Sequence, residues 1–530
     1  MLSRKSVRIH FLAAALGILS LAGGRSHAQE SPAKAVPQQP PLSDTVQRLE
    51  LQIQQLQSAV QQLRDEAQNY RSETQELKRE LQTTLDKLNS SERAQHQPAG
   101  NAQISPGAQQ PVDGDQRVQE RIAHLEEDQE LLNSRVDEQY QTKVEAASKH
   151  RVRLSGLILL NVFSNGGNVD HLEVPSVALA TNPTGTGANT GGSFAATVRQ
   201  SQIGLEVYGP TFAGAKTRGD LVTDFFGEGP DALNGAATGH LRLRTGTVRL
   251  DWPQTSLIGG LDVLFFSPVS PTSYASLGIP ALAYSGNLWA WIPQVRVEHR
   301  WRVADESTIE LAGGILDPLT GETPVNEFLR FPGAGENSRQ PGYAARVAWS
   351  RRAYNQPLAV GFGGYYNREN WGFDRTVNGW AATTDWSIPL GSRFLVTGKL
   401  YAGRAIGGLG AGIGRSVVFN GPLIARSTVV QPVPSAGGWA QFKYRPAAKL
   451  EFNVAGGQDN ATASDLRGFT LTPGYFPANL ARTRSEFVNF IYRPHSNLLL
   501  STEFRTLRTF SVDGSSERAN QLNLMMGIFF

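Results

Sequence analysis

The chain changes its hydrophobic rhythm near residue 150. Between 42 and 92 one apolar seam runs Leu42, Leu49, Leu56, Leu63, Tyr70, Leu77, Thr84, and a second runs Val46, Ile53, Val60, Ala67, Thr74, Leu81, Leu88. A 3.5-residue repeat places both seams on one stripe of a helix, with Gln, Glu, Arg, Lys and Ser around the rest, and predicts an α-helical coiled coil. β-branched residues in one seam and leucines in the other lean toward two strands. A shorter amphipathic helix or coiled coil is predicted at 115–145, with Val118, Ile122, Leu125, Leu132 and Val136 on one face and Gln129 in the seam. Linkers rich in Pro and Gln (29–41) and in Pro, Gly and Gln (93–114) precede these two segments.

From Arg151 onward the period becomes two. Val152-Leu154-Gly156-Ile158-Leu160, Tyr343-Ala345-Val347-Trp349, Leu450-Phe452-Val454 and Leu522-Leu524-Met526-Ile528-Phe530 alternate with polar residues such as Arg153, Ser155, Arg346, Glu451 and Asn523. The segments run to about 10 residues, the length a tilted strand needs to cross a bilayer. About 16 of them fit between 150 and 530, a number common in barrels of this size. They are predicted near 151–163, 194–208, 216–226, 239–251, 255–266, 291–301, 307–316, 341–351, 357–366, 378–388, 392–402, 437–445, 448–457, 484–493, 496–507 and 519–530. Short connections such as Pro253-Gln254 and Leu390-Gly391 alternate with long ones at 164–193, 267–290, 317–340, 403–436 and 458–483. That asymmetry is the outer-membrane pattern of tight periplasmic turns and long external loops. The fold class is therefore an all-β transmembrane antiparallel barrel with an N-terminal coiled-coil extension. Leu241 and Leu243 have the opposite parity to Val248 and Leu250, which predicts a β-bulge near Gly246.

Composition agrees with this reading and adds a compartment. Of 530 residues none is Cys, which removes disulfides, thiolate metal sites, a cysteine nucleophile and N-terminal lipidation. The mean hydropathy of −0.29 is too polar for a helical membrane protein, but suits a barrel in which every second residue faces water. A net charge of +3 gives no support for a nucleic-acid partner. Residues 1–28 read as a secretory signal peptide: Arg4, Lys5 and Arg8, then an apolar run from Phe11 to Ala22, then Ser26-His27-Ala28 before the cut. An uncleaved anchor is the alternative, but the run is shorter than the roughly 20 residues of a spanning helix. The final strand, with Met526, Ile528 and the terminal Phe530 on its apolar face, resembles the signal read by the outer-membrane assembly machinery. Together these place the protein in a bacterial outer membrane with its coiled coil in the periplasm.

Candidate functional residues follow from parity. Arg153, Arg296, Arg300, Arg346, Lys399 and Arg505 share the polar register of their strands, as do Glu206, Asp220, Asp224, Glu298, Glu451 and Glu503. In a barrel that register faces the lumen, and a wall of both signs orients dipolar or anionic solutes. The alternative is that these charges only solvate a wet wall. Segment 267–290 carries no charge and contains Tyr274, Tyr284 and Asn287. It is the candidate constriction loop, the alternative being a loop folded over the rim or packed on a neighbouring subunit. Trp252, Phe265, Phe266, Trp289, Trp291, Trp301, Tyr365, Tyr366, Trp371, Trp386, Tyr444 and Tyr492 are read as girdles at the lipid–water boundaries, and otherwise as a sugar-stacking surface. Gly-rich 405–414 lacks the strand–loop–helix setting of a phosphate cradle and reads as a mobile loop. With no HExxH and no Gly-x-Ser-x-Gly, nothing predicts an enzyme, a metal or a cofactor.

The stretch Arg199-Gln-Ser-Gln-Ile-Gly-Leu-Glu-Val-Tyr-Gly-Pro210, then Gly214-Ala-Lys216, Asp224-Phe-Phe-Gly227 and Trp289 with Pro293-Gln294-Val-Arg296, resembles the early-strand pattern of the DcaP-like porins. These are trimeric channels with an N-terminal coiled-coil extension. The resemblance implies a homotrimer held through barrel and coiled coil, and passive uptake of small hydrophilic solutes with a mild preference for anions such as dicarboxylates. A sugar-specific porin and a structural tether from the outer membrane to the cell wall are the alternatives. The tether implies peptidoglycan or periplasmic proteins as partners of the coiled coil.

Overall fold

The computed structural model describes residues 143–144, 151–180, 191–227, 239–323 and 330–530. The signal peptide, the linkers, the coiled coil and all but two residues of the 115–145 helix lie outside the described residues. Those two, Lys143–Val144, form a short strand paired with Val152 and Arg153, so they are extended where the amphipathic pattern predicts helix.

The main sheet contains 18 strand segments; one is Lys143–Val144 and two are halves of a single broken strand, which leaves 16 wall strands. We number them β1 (Arg151–Gly166), β2 (Gly192–Thr197 and Gln202–Phe212), β3 (Ala215–Gly227), β4 (His240–Asp251), β5 (Thr255–Val263), β6 (Trp291–Ala304), β7 (Ser307–Leu316) and β8 (Gly342–Ala353). The second half comprises β9 (Gln356–Asn370), β10 (Thr376–Pro389), β11 (Phe394–Arg404), β12 (Pro434–Ala447), β13 (Leu450–Ala461), β14 (Leu480–His495), β15 (Leu498–Ser511) and β16 (Ser516–Phe529). Each pairs antiparallel with its sequence neighbours. β16 returns to β1 with Phe529 opposite Leu157 and Asn520 opposite Gly166, which closes the barrel. Closure satisfies every strand's backbone donors and acceptors without leaving an edge, as an apolar bilayer demands.

Parity is the cause of the two faces. On β16, Leu522, Leu524, Met526 and Ile528 point outward and are about half exposed, while Gln521 and Asn523 point inward and are buried. Phe530 continues the outward set, and its backbone pairs with Gly156 across the seam. On β4 the register slips between Val222 and Thr223 of β3, so that Thr245 and Leu243 sit opposite consecutive residues. Arg244 is the extra residue. The bulge thus falls two residues from Gly246 and reconciles the two parities, as the alternation predicts.

Tight turns close one end of the barrel and long connections the other. The long connections at 264–290 (loop 3) and 405–433 (loop 6) do not extend away from the wall. Their apolar residues form the interior: Leu264, Phe265, Phe266, Leu288, Ile406, Leu409 and Ala411 pack with Ile292, Leu316, Tyr365 and Tyr401 of the wall. This overturns two expectations. Residues 405–414 are buried rather than a mobile loop, because Ile406, Leu409, Ala411 and Ile413 alternate with glycines small enough to lie against neighbouring backbone. Phe265, Phe266, Tyr365 and Trp371 are buried inside the barrel, not at its lipid boundary. Trp301, Tyr366, Trp386, Tyr444 and Tyr492 do occupy the outward register. Near the tight-turn end Phe394, Tyr444, Phe452, Phe490 and Tyr492 form a continuous outer row, with Phe394 and Tyr444 stacked 4.8 Å apart.

Candidate functional site

Loop 3 leaves β5 as its alternation ends at Val263, and it turns inward because Phe265 and Phe266 find an apolar bed against Tyr365. Gly363 makes that approach possible, since a Cβ there would lie 2.1 Å from the Phe266 carbonyl oxygen. The Thr383 hydroxyl donates to the same carbonyl at 2.8 Å. The loop then crosses the lumen. The Thr272 amide donates to Gln441 Oε1 (3.0 Å), and Lys443 Nζ donates to the Thr272 hydroxyl (3.0 Å). Ser273 donates to Glu503 Oε2 at 2.6 Å, and Arg505 bonds both Ser276 and Glu503. On the far wall one side chain, Gln200, accepts from the amides of Leu277 and Gly278 (2.7 and 2.8 Å) and donates to the Ala275 carbonyl (3.1 Å). The returning limb is tied by Thr483 to the Tyr284 carbonyl. Lys399 Nζ donates to the Ser267 carbonyl and hydroxyl at the outgoing stem and to the Leu288 carbonyl at the returning stem, at 2.8–3.2 Å.

Segment 267–290 is thus inside the barrel. Of its three candidate residues, Tyr284 is half-buried beside Trp289 (6.2 Å between ring centroids) and Phe476 (5.0 Å). Tyr274 packs on Phe529 and Arg493. Asn287 is buried and donates to the Ala281 carbonyl, bracing the loop from within instead of facing solute. The sequence could not distinguish these, since parity says nothing about irregular backbone.

The predicted lumen residues separate into two groups. Lys399 and Arg505 point inward as parity requires, but loop 3 covers them and they hold it in place. Elsewhere on the wall Arg296, Arg300, Arg346 and Glu298 meet in one ladder, of which Arg296 and Glu298 are buried and Phe265 of loop 3 lies against Arg296. Arg296 bonds Asp262 and Glu298 at 2.8 Å, Arg300 bonds Glu298 at 2.6 Å and Glu310 at 2.9 Å, and Arg346 grips Asp385 at 2.7 Å. Arg249 extends the ladder toward Glu298 at 3.9 Å. Arg153 lies at the tight-turn end opposite Glu206. Beside it a cavity of about 310 Å³ is lined by Ser155, Glu206, Arg218, Asp220, Thr247, Arg249 and Asp262.

Two residues that sequence reading missed complete the picture. Arg242 holds buried Asp224 at 2.7 Å, and Arg244 shares the same carboxylate at 3.7 Å, so two guanidinium groups face one acid. Both also lie against Trp291, with guanidinium carbons 4.9 and 4.8 Å from its ring centroid. Arg242 Nη2 touches the Gly278 carbonyl of loop 3 at 2.6 Å. Trp291 lies 5.5 Å from Trp289, which lies beside Tyr284. A ring of contacts therefore runs from Gly278 through Arg242, Trp291, Trp289 and Tyr284 and back along loop 3. The bulge at Arg244 hid its basic members, because it breaks the parity by which inward residues are found.

A 16-strand closed barrel narrowed by an inward third loop is a specific architecture. The barrel fold is similar to that of the outer-membrane channel DcaP of Acinetobacter baumannii. That structure aligns with a TM-score of 0.55 at 15% identity, over 73% of this chain and 100% of that one. OprB of Pseudomonas putida (TM-score 0.44, 10% identity, 72% and 94% covered) and an anion-selective porin from Comamonas acidovorans (0.42, 10%, 72% and 100%) are more distant. No protein-family model and no curated protein matches the sequence.

Proposed function

We propose that the protein is an outer-membrane porin, a passive channel for small hydrophilic solutes with a mild preference for anions such as dicarboxylates. The observation that carries this reading is the lumen itself: an uncharged loop folded across a closed barrel and facing a wall on which Arg242 and Arg244 share a single carboxylate. A guanidinium that shares its counter-ion keeps donors for a passing anion, and the polarised ladder beside it orients a dipolar solute. Single-channel recording in planar bilayers tests this. Expected are steady open steps and a reversal potential on the anion side in a KCl gradient, moved several-fold toward cations by Arg242→Ser with Arg244→Ser. A barrel that inserts but passes no current, or strongly prefers cations, would overturn the reading.

A sugar-selective channel is the second reading, supported by the inward run Tyr284, Trp289, Trp291, since aromatic faces stack on sugar rings. It predicts block of the current by maltodextrins at millimolar concentration, relieved by Trp289→Ala. A homotrimer is part of the first reading. The tether alternative rests on the coiled coil, outside the described residues.

A further inference from the structure

Every solute-facing feature above lies inside the barrel, but one cluster of charge lies outside it. On β14, β15 and β16, at the long-loop end, Arg484 sits directly opposite Arg508, and Arg508 directly opposite Arg518. Their inward neighbours Thr483, Ser485, Leu507, Thr509 and Ala519 are buried, so the three arginines point outward, and all three are exposed. A fourth, Arg482, is opposite Phe510 and lays its guanidinium carbon 3.9 Å over that ring, while Arg508 lies 4.7 Å from the same centroid. Arg484 donates to Gln458 Oε1 and Arg508 to the Ser516 hydroxyl, both neutral. Among the described residues none of the four forms an ion pair, and Arg482 Nε is buried without a partner. The nearest acid on this outer face, Glu486, is one outward step down β14.

Like charges directly opposite one another on adjacent strands destabilise a sheet unless something neutralises them. The depth of the row says what that is. Below the arginine row the outward apolar residues stop at Val488 on β14, Phe504 on β15 and Leu522 on β16, and Phe510 is the one ring beyond it on these three strands. Each arginine of the row stands four residues beyond: Arg484, Arg508, Arg518. At about 3.4 Å per residue and a tilt of roughly 40°, four residues place the guanidinium groups about 10 Å above the edge of the hydrocarbon. That is the level of the polar headgroups in the outer leaflet. The groups there must be anionic, fixed in the plane of the membrane and able to accept paired N–H donors, which is the chemistry of phosphate.

We propose that the outer face of β14–β16 is a binding site for the phosphate groups of a phosphorylated, glucosamine-based glycolipid of the outer leaflet. Arg484, Arg508 and Arg518 engage the phosphates, and Phe510 holds Arg482 and Arg508 flat beside them. The inference rests on the outer-membrane orientation but not on what the channel carries.

The test uses the full-length protein in detergent micelles, with bis-phosphorylated lipid A as the probe. Wild type is compared with the triple variant Arg484→Gln, Arg508→Gln, Arg518→Gln, after heat-modifiable gel mobility has shown both to be folded barrels. The proposal expects lipid A to bind the variant at least tenfold more weakly. Dephosphorylated lipid A should bind both proteins equally, and phosphatidylglycerol should bind without discriminating between them. Equal affinity of the two proteins for lipid A overturns the proposal. So does a loss that persists with the dephosphorylated lipid, or one that phosphatidylglycerol reproduces in full. A change in oligomeric mass in the variant also overturns it, because the row would then be a contact between copies. A variant that does not fold is replaced by the single change Arg518→Gln, expected to weaken lipid A at least threefold, with an unchanged affinity overturning the proposal. Conductance separates this from the functional reading: a non-conducting wild type sinks the channel, not the glycolipid site.

Discussion

Lys399 shows how one side chain can set the geometry of a lumen without touching solute. It is fully buried, and its three donors reach both stems of loop 3 at Ser267 and Leu288. An ammonium in that place joins the two stems as a clip, and removing it leaves two carbonyls without their donor. Lys399→Met should therefore loosen the docked loop by about 1–3 kcal/mol, the usual scale for orphaned buried polar groups. The expected readout is larger and noisier unit conductance in single-channel records with no loss of barrel thermal stability by circular dichroism. A second residue-scale prediction concerns the connection between β1 and β2. His171 accepts from the Glu173 and Val174 amides, lies tilted against Phe226 with ring centroids 5.1 Å apart, and is held down to about 4 by burial, with Arg199 and Arg242 adding repulsion. A folded pKa below the unfolded one stabilises above pH 6.5, and that stability is lost as pH falls toward 4. Its neighbour Asp170 is pushed up to about 6 by burial, although the Ser176 and Val177 amides donate to it at 2.8 Å, so its contribution grows as pH falls from 6. The two nearly cancel between pH 4 and 6. Asp170→Asn keeps the acceptor and removes the titration. In that variant proteolysis within 168–179 should accelerate as pH drops from 6.5 to 4, while the wild type stays nearly flat.

At the scale of elements, loop 3 is positioned by close backbone approach as much as by hydrogen bonds. Gly363 admits the loop's root, and Gly286, at φ +99° and with a would-be Cβ 2.1 Å from the Gly438 carbonyl, admits its return. Gly363→Val should push Phe266 off the wall and partly expel the loop, raising unit conductance severalfold; an unchanged conductance would show that the loop does not narrow the path. Strand positions were legible in the sequence because a wall wet on one side and apolar on the other writes its parity directly into the chain. Even the bulge left a trace, as Leu241 and Leu243 fell out of step with Val248 and Leu250. The interior was far less legible. Loop 3 could be nominated by its lack of charge, but Gln200, Arg242 and Arg244 could not. Their roles come from partners such as Ala275 and Gly278 that are distant in sequence and carry no periodic signal. Burial of 405–414 was missed for a related reason: many glycines suggest mobility, while here their small size lets Leu409 and Ile413 reach the interior.

At the scale of the whole molecule, the outer surface is not uniform around the barrel. On β6 to β14 the outward register carries Trp301, Tyr343, Trp349, Tyr366, Trp380, Trp386, Tyr444 and Tyr492, the amphipathic rings that favour a lipid–water boundary. On β1 to β5 it carries Leu154, Ile158, Ile203, Leu205, Val207, Leu221, Val248, Leu250 and Leu261, with Phe194 and Phe212 as exposed rings and no Tyr or Trp. The only ring of that kind within those strands, Tyr208, bonds inward-facing Glu206. A mostly aliphatic wall with few amphipathic boundary rings suits a surface packed on another copy better than one facing lipid, because Tyr and Trp at the interface level would stand between two flat walls. This supports a homotrimer assembled through β1–β5. The substitution that tests it must be harmless to a barrel in lipid, which excludes a charge on the outer face. Tryptophan meets that condition. Leu205→Trp with Val248→Trp should convert a trimer into monomers, measured as protein mass by light scattering in detergent, while heat-modifiable mobility and conductance per barrel persist. The same pair placed on the far side, Leu400→Trp with Val454→Trp, should leave the trimer intact. A trimer that survives the first pair and is lost with the second would move the contact to the opposite wall.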